Sequence, residues 1–135
     1  MSTGIDFAAR QIPAQAIKDA GHSAVIAYVS PSRPGSNFGA KPLTKAYADE
    51  LLANGLLIAS NWQYGKPGGT APSDWTLGFE GGVDHAHQAL ATHLGAGGDS
   101  SAPIYFSVDE NISLDQWNDT AVRPLILAAE GMGRP

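Results

Sequence analysis

The chain has no cysteine. It can therefore build neither a disulfide framework nor a thiolate zinc site, and thiol usage gives no clue to its redox compartment. Positive charge is also scarce: eight Lys and Arg stand against thirteen Asp and Glu, a formal net charge of -5 with a pI near 5.1. That is the wrong sign for holding a phosphate backbone by counterion release, so no nucleic-acid partner is expected. No run approaches the ~18 apolar residues of a membrane span. The opening Met1-Ser2-Thr3-Gly4-Ile5-Asp6 shows neither the basic nor the apolar region of a signal peptide, so a role outside the cell would need another route of export. Sixteen Gly and nine Pro in 135 residues signal many turns rather than long uninterrupted helices and exclude a long coiled coil. What is present, 43% hydrophobic and 16% charged residues, is the composition of one globular domain over residues 1–135. At this size about two-thirds of the chain's surface can be buried, enough for a single core.

Short apolar runs alternate with helical patterns. Thr3 to Ala8 (TGIDFA) reads as a strand, and Pro13 to Ala20 as a short helix with proline in its first turn and Gly21 as its stop. Ser23 to Val29 (SAVIAYV) is a second strand, followed after a Pro/Ser/Gly/Asn loop by a helix over Leu43 to Asn54 that Gly55 ends. Leu56 to Trp62 (LLIASNW), a Gly/Pro loop from Gly65 to Ser73 and an Ala-rich helix from Asp84 to Leu94 form the third unit. Pro103 to Asp109 (PIYFSVD) is the clearest strand. Ser113 to Gly131 reads as a helix with a capping Ser and an internal Pro124.

Strands that are each followed by a helix imply an α/β fold with a parallel sheet. Both an open doubly wound sheet and a TIM-type barrel satisfy that pattern. The placement of polar residues favours the barrel. In the fourth strand Ile104, Phe106 and Val108 alternate with Tyr105, Ser107 and Asp109, and in the first Ile5 and Phe7 alternate with Gly4 and Asp6. Each strand thus brings an Asp to its carboxyl end on the side away from the helices. That alternation is costly in an open sheet, which carries helices on both faces, and natural at a barrel mouth. A barrel needs about eight βα units and typically ~250 residues, so the expectation is a partial barrel holding the first four to five units, with further chain or partner subunits completing it.

Several motifs add to this: GIDFA, the YVS strand end, KPLTKAYADELLANGL from Lys41 to Leu56, Trp62-Gln63-Tyr64, GGVDHAHQALATHLG and PIYFSVDEN. In this order and spacing they resemble the glycoside-hydrolase-like TIM-barrel domain of actinobacterial cell-wall proteins and of phage lysins and virion proteins. That domain is in turn similar to Chalaropsis-type lysozymes. The resemblance covers Gly4 to Arg134 and implies the N-terminal part of a (β/α)8 barrel that needs no cofactor and acts on peptidoglycan or a related wall glycan. It also implies a muramidase-like hydrolase located at the cell wall or in a phage virion. Asp6 matches the family's first-strand aspartate and Asp109 the first acid of the fourth-strand pair. The second acid of that pair falls on Asn111.

Glycoside hydrolysis needs two carboxyl groups, one protonated and one ionised, ~5 Å apart for retention or roughly 6.5 to 9.5 Å for inversion. Asp6 with Asp109, or Asp6 with Glu110, supplies such a pair. Burial beside Tyr105 would make Asp109 the acid, while Asp6 stays ionised. Strand alternation would turn Glu110 to the opposite face unless a bulge or the strand end re-aims it. The same acids also suit hydrogen bonds to loop backbone at a barrel rim, which with Asn111 describes a non-catalytic glycan-binding or structural module. Tyr28, Trp62, Tyr64 and Trp75 near strand ends are candidates for stacking on sugar rings, Tyr28 and Trp62 first among them, or for packing under loops. Tyr105 and Asn111 complete the candidate glycan contacts. His85, His87 and His93 lack the helical spacing of a zinc site, so no metal is expected. GKPGG, GAGG and GFEGG read as loops, without the strand and helix context of a phosphate-binding turn. No GxSxG supports serine chemistry.

Overall fold

A computed structural model describes residues 3–119. Four parallel strands, β1 (Gly4–Asp6), β2 (Ala24–Tyr28), β3 (Leu57–Trp62) and β4 (Ile104–Phe106), lie side by side in sequence order. Helices α1 (Ala14–Asp19), α2 (Lys45–Ala53) and α3 (Gly78–Gly95) make the crossovers, and α4 (Leu114–Asp119) follows the sheet. A parallel pair cannot be closed by a tight hairpin, and these helices supply the connections.

The helices begin and end for local reasons. Thr44 accepts a hydrogen bond from the Tyr47 N–H and caps α2, while Gly55, at φ 75°, takes the left-handed turn that ends it. The N-terminus of α1 is satisfied from α2, where the Glu50 carboxylate accepts from the Ala14 N–H at 2.8 Å. The Tyr47 hydroxyl ties the same two segments by donating to the Ile12 carbonyl at 2.7 Å.

Register puts Ile5, Val25 and Ile58 in one row and Ser60 with Ile104 in another, all on one face of the sheet. Val25 packs there with Ala14, Ile17, Tyr47 and Leu51 of α1 and α2, with Ile5 and Ile58 against the same cluster. Val29 and Trp62 pack with Ala89 of α3, joined by Ile104 and Phe106. The opposite face carries Asp6, Ile26, Tyr28, Asn61 and Tyr105. Leu57 and Tyr105, at 70% and 59% exposed, show that this face is open; the helices that contact the sheet pack on the other one. The one-sided alternation expected from the sequence is therefore present, in a mixed α/β fold with a four-stranded parallel sheet consistent with part of a barrel.

Most element ends shift by a residue or two from the sequence expectation, and three features differ more. Strand β4 ends at Phe106, three residues before Asp109, because pairing with β3 stops at Trp62. GFEGG is not a loop but the first turn of α3, which starts six residues before Asp84. Burial of Gly82, His85, Ala86, Ala89 and His93 along one side of that helix outweighs the low helix propensity of glycine. A 3-10 turn at Asp74–Leu77 precedes α3 within a stretch that carries no apolar period. For the helix expected from Ser113 to Gly131, the part beyond residue 119 lies outside the described residues.

Candidate active site

The candidate side chains Asp6, Asp109, Glu110 and Asn111 lie where β1 and β4 end and the β2–α2 and β3–α3 loops begin. A cleft of about 470 Å³ opens there. One wall is formed by Arg33, Phe38 and Lys41 from the β2–α2 loop, another by Gln63, Gly65, Lys66 and Pro67 after β3, and the last by Asp109, Glu110 and Asn111 after β4. Asp109, Glu110 and Asn111 all line this space because β4 has already ended; with no strand geometry left, alternation does not turn Glu110 away.

Asp6 stands at the end of β1 beside this cleft. Its Oδ2 accepts a hydrogen bond of 2.9 Å from the Tyr28 hydroxyl. Burial first, then the bond to Asp6 and the charges of Asp6 and Asp109, push the Tyr28 hydroxyl far above the ordinary phenol range, so it remains a donor. Both carboxylates thus act on one phenol. Lys41 Nζ lies 3.8 Å from the centroid of the Tyr28 ring and donates to the Gln63 carbonyl at 2.8 Å. Burial, then repulsion from Arg33, bring the Lys41 ammonium down to about 8, with Asp6 and Asp74 pulling the other way.

Two neighbouring residues of the 3-10 turn organise the walls. Asp74 is buried and accepts from the Tyr64 N–H on Oδ2 and from the Gly65 N–H on Oδ1, each at 2.8 Å, fixing the loop after β3. Gly65 is required in that loop, since a Cβ there would overlap the Pro72 carbonyl. Trp75 Nε1 donates to Glu110 Oε2 at 2.7 Å, fixing the wall after β4. His85 Nδ1 lies 3.7 Å from Asp74 Oδ1, is buried and has no hydrogen-bond partner among the described residues.

Several expected roles change. Trp62 does not face the cleft: it is 1% exposed on the helix side of the sheet, against His85 at 4.9 Å and Phe106 at 6.3 Å between ring centroids. It stands one residue beyond Asn61, and that single step selects the face. Tyr64, partly buried, packs edge-on against His85 beside the same cluster and is not among the residues that line the cleft. Tyr28 does sit on the cleft side, but at 8% exposure and with Lys41 over its ring it is a hydrogen-bond donor, not a platform. Asp109 and Tyr105 are both exposed, so the burial expected around Asp109 is not provided by any element among the described residues. Asn61, beside Tyr105 in register, donates to Ser107 Oγ at 3.0 Å on the same face.

Of the histidines, His93 is buried between Ser60 Oγ at 2.8 Å and the Asp99 carbonyl at 3.0 Å, a structural role. Among the described residues no group of three or more His, Asp or Glu is arranged to hold a metal ion.

Sequence reasoning missed Arg33, Phe38, Lys41 and Asp74. Lys41 and Asp74 carried one weak signal each: a charged residue directly before proline or after serine at the edge of a Gly/Pro-rich loop.

A family model described as the Rv2525c-like, glycoside hydrolase-like domain matches residues 15–131. Over 123 residues the chain is 45% identical to Rv2525c of Mycobacterium tuberculosis, which carries the provisional name of a peptidoglycan hydrolase. That match takes in 90% of this chain and 50% of the relative, so the chain spans about half the length of the curated relative it matches. Two crystal structures of the Tat-secreted Mycobacterium tuberculosis protein Rv2525c, one in complex with HEPES and one with L-tartrate, each align at a TM-score of 0.87 and 41% identity. They cover 95% of this chain and 62% and 61% of the solved chains.

Proposed function

The chain belongs to the Rv2525c-like, glycoside hydrolase-like domain family, and from this premise we propose that it hydrolyses a bacterial cell-wall glycan with a pair of carboxyl groups. The observation that carries the proposal is that Asp109 and Glu110, from the segment after β4, line one cleft, while Asp6, from the end of β1, and Asp109 both act on the Tyr28 hydroxyl. In a parallel α/β sheet the carboxyl ends of the strands are where catalytic groups are carried.

In this reading Asp109, which lines the cleft, protonates the leaving oxygen. Asp6, oriented by the Tyr28 hydroxyl, is the ionised partner that acts as base or nucleophile. Glu110, held by Trp75, stands ready as the alternative partner of Asp6. The chemistry draws on no cofactor. The open sheet face supports a barrel of the TIM type that further βα units, from the same polypeptide or from a partner subunit, close over the site. Residues 1–135 then form the N-terminal part of a (β/α)8 domain. Kinship with Chalaropsis-type lysozymes and with phage lysin and virion domains belongs to the same proposal and is supported by the positions of Asp6 and Asp109. The provisional name and Tat secretion of Rv2525c support peptidoglycan as the substrate and the cell wall as the place of action.

A second reading, glycan binding without turnover, is favoured by Asn111 standing where a second acid completes the fourth-strand pattern and by the engagement of Glu110 with Trp75. Release of soluble fragments from purified peptidoglycan separates the two. Hydrolysis by the wild type that Asp6→Asn and Asp109→Asn each reduce at least a hundredfold supports the enzyme, whereas co-sedimentation without release by all three forms establishes the binding module.

A further inference from the structure

The chain is acidic overall, yet three of its eight basic residues, Arg33, Lys41 and Lys66, line one cleft. Two of them crowd around a single ring: the Arg33 guanidinium lies 5.0 Å and the Lys41 ammonium 5.6 Å from the centroid of Phe38. The close contacts of carboxylates with basic side chains among the described residues, Lys45 with Asp49 and His85 with Asp74, involve neither of these cations, so no carboxylate among the described residues stands within 4.0 Å of either. Lys41 commits one donor, to the Gln63 carbonyl, and the Arg33 guanidinium donates to no acceptor among the described residues. Glu110, on the facing wall, is bonded to Trp75. Asp6 and Asp74 act on Lys41 only from beyond ion-pair distance, and two half-buried like charges with no carboxylate in contact gain from an anion that joins them, since each repels the other and both have lost part of their hydration.

We infer that Arg33 and Lys41 form a carboxylate-binding subsite of the cleft, so that the ligand is an acidic saccharide rather than a neutral one. The inference rests on the reading of the cleft as a glycan site and deepens it by naming the substrate class. The planar guanidinium matches a carboxylate with two parallel hydrogen bonds, and the lysine adds a point charge with free donors. A carboxylate seated there lies along the same cleft as Asp109 and Glu110, so the subsite would orient a sugar chain relative to the acids. The carboxylate has two sources in cell-wall glycans, the lactyl group of muramic acid where no stem peptide is amide-linked to it and the ring carboxylate of a uronic acid.

Calorimetric titration at pH 7 with three saccharides tests it: tri-N-acetylglucosamine, which is neutral; a peptide-free disaccharide of N-acetylglucosamine and N-acetylmuramic acid; and trigalacturonate. The expected result is that at least one acidic saccharide binds ten-fold or more tightly than the neutral one, and the stronger of the two identifies the source. The advantage should fall below about three-fold in Lys41→Met and in Arg33→Gln, the second variant guarding against a folding defect in the first. Equal affinity for neutral and acidic saccharides, or an advantage that both variants keep, overturns the subsite and leaves the glycan reading standing. Failure of all three saccharides to bind overturns both.

Discussion

Replacing Asp74 with Asn removes a charge and one acceptor while keeping size and shape. The carboxylate receives two backbone N–H groups, Tyr64 on Oδ2 and Gly65 on Oδ1, both at 2.8 Å. An amide offers one oxygen, so one N–H must face an NH2 group instead. A hydrogen bond to a charged acceptor is worth about 1.5 to 3 kcal/mol, and an N–H left unpaired in a buried place costs about 1 to 3 kcal/mol more. Some of this is recovered if the NH2 takes the Oδ1 position and reaches His85 Nδ1, 3.7 Å away and unpartnered among the described residues, which offsets about 1 kcal/mol. The net expectation for Asp74→Asn is a loss of about 2 to 4 kcal/mol, a large share of the 5 to 15 kcal/mol typical of a domain. At this chain length that corresponds to a fall in Tm of roughly 6 to 16 °C. Thermal unfolding followed by circular dichroism, with urea midpoints as a check, measures it. A fall of less than about 2 °C with an unchanged urea slope refutes the argument that Asp74 pins the loop after β3.

Two further outcomes follow from the same geometry. In a double-mutant cycle on stability, Trp75→Phe and Glu110→Ala should couple by about 1 kcal/mol through the 2.7 Å hydrogen bond, and a coupling below about 0.3 kcal/mol would show that Trp75 does not hold Glu110. Lys41, packed against Tyr28 and flanked by Arg33, Asp6 and Asp74, titrates near 8 in the folded chain against an ordinary value near 10.5. Below pH 8 it is charged in both states and the fold bears the full penalty, while between about 8 and 10.5 the unfolded chain binds more protons and stability rises with pH. The Lys41 contribution to that rise, read as the difference between wild type and Lys41→Met, should be about 1 kcal/mol once solvent screening of a half-exposed group is allowed for; identical pH profiles contradict it.

Legibility from sequence was greatest where side-chain direction follows a simple period. Ile104 and Phe106 on the helix side and Tyr105 on the open side obey the two-residue repeat of a strand, as do Ile5 and Asp6. The same rule sorts Trp62 from Asn61, and Trp62, one of the two aromatics expected first at the cleft, lies in the core because the strand runs unbroken through it. The rule has no force past Phe106, where Glu110 takes its direction from its hydrogen bond with Trp75. Nor does it cover the β2–α2 and β3–α3 loops, which supply Arg33, Lys41 and Asp74.

The sequence by itself determined the succession of strands and helices, the parallel sheet and its polar face with Asp6 at the end of the first strand, because these depend on periods of two and 3.6 residues and on glycine and proline as local stops. Only the tertiary structure decided that Tyr28 holds Asp6, that Asp74 and Trp75 brace opposite walls, and that two cations share the Phe38 ring. These contacts join residues 22 apart for Tyr28 and Asp6 and 35 apart for Trp75 and Glu110, and no local pattern encodes which distant loop a side chain meets. Packing of three helices on one side of the sheet brings those loops together at the strand ends, and the charge of the cleft is a consequence of that packing.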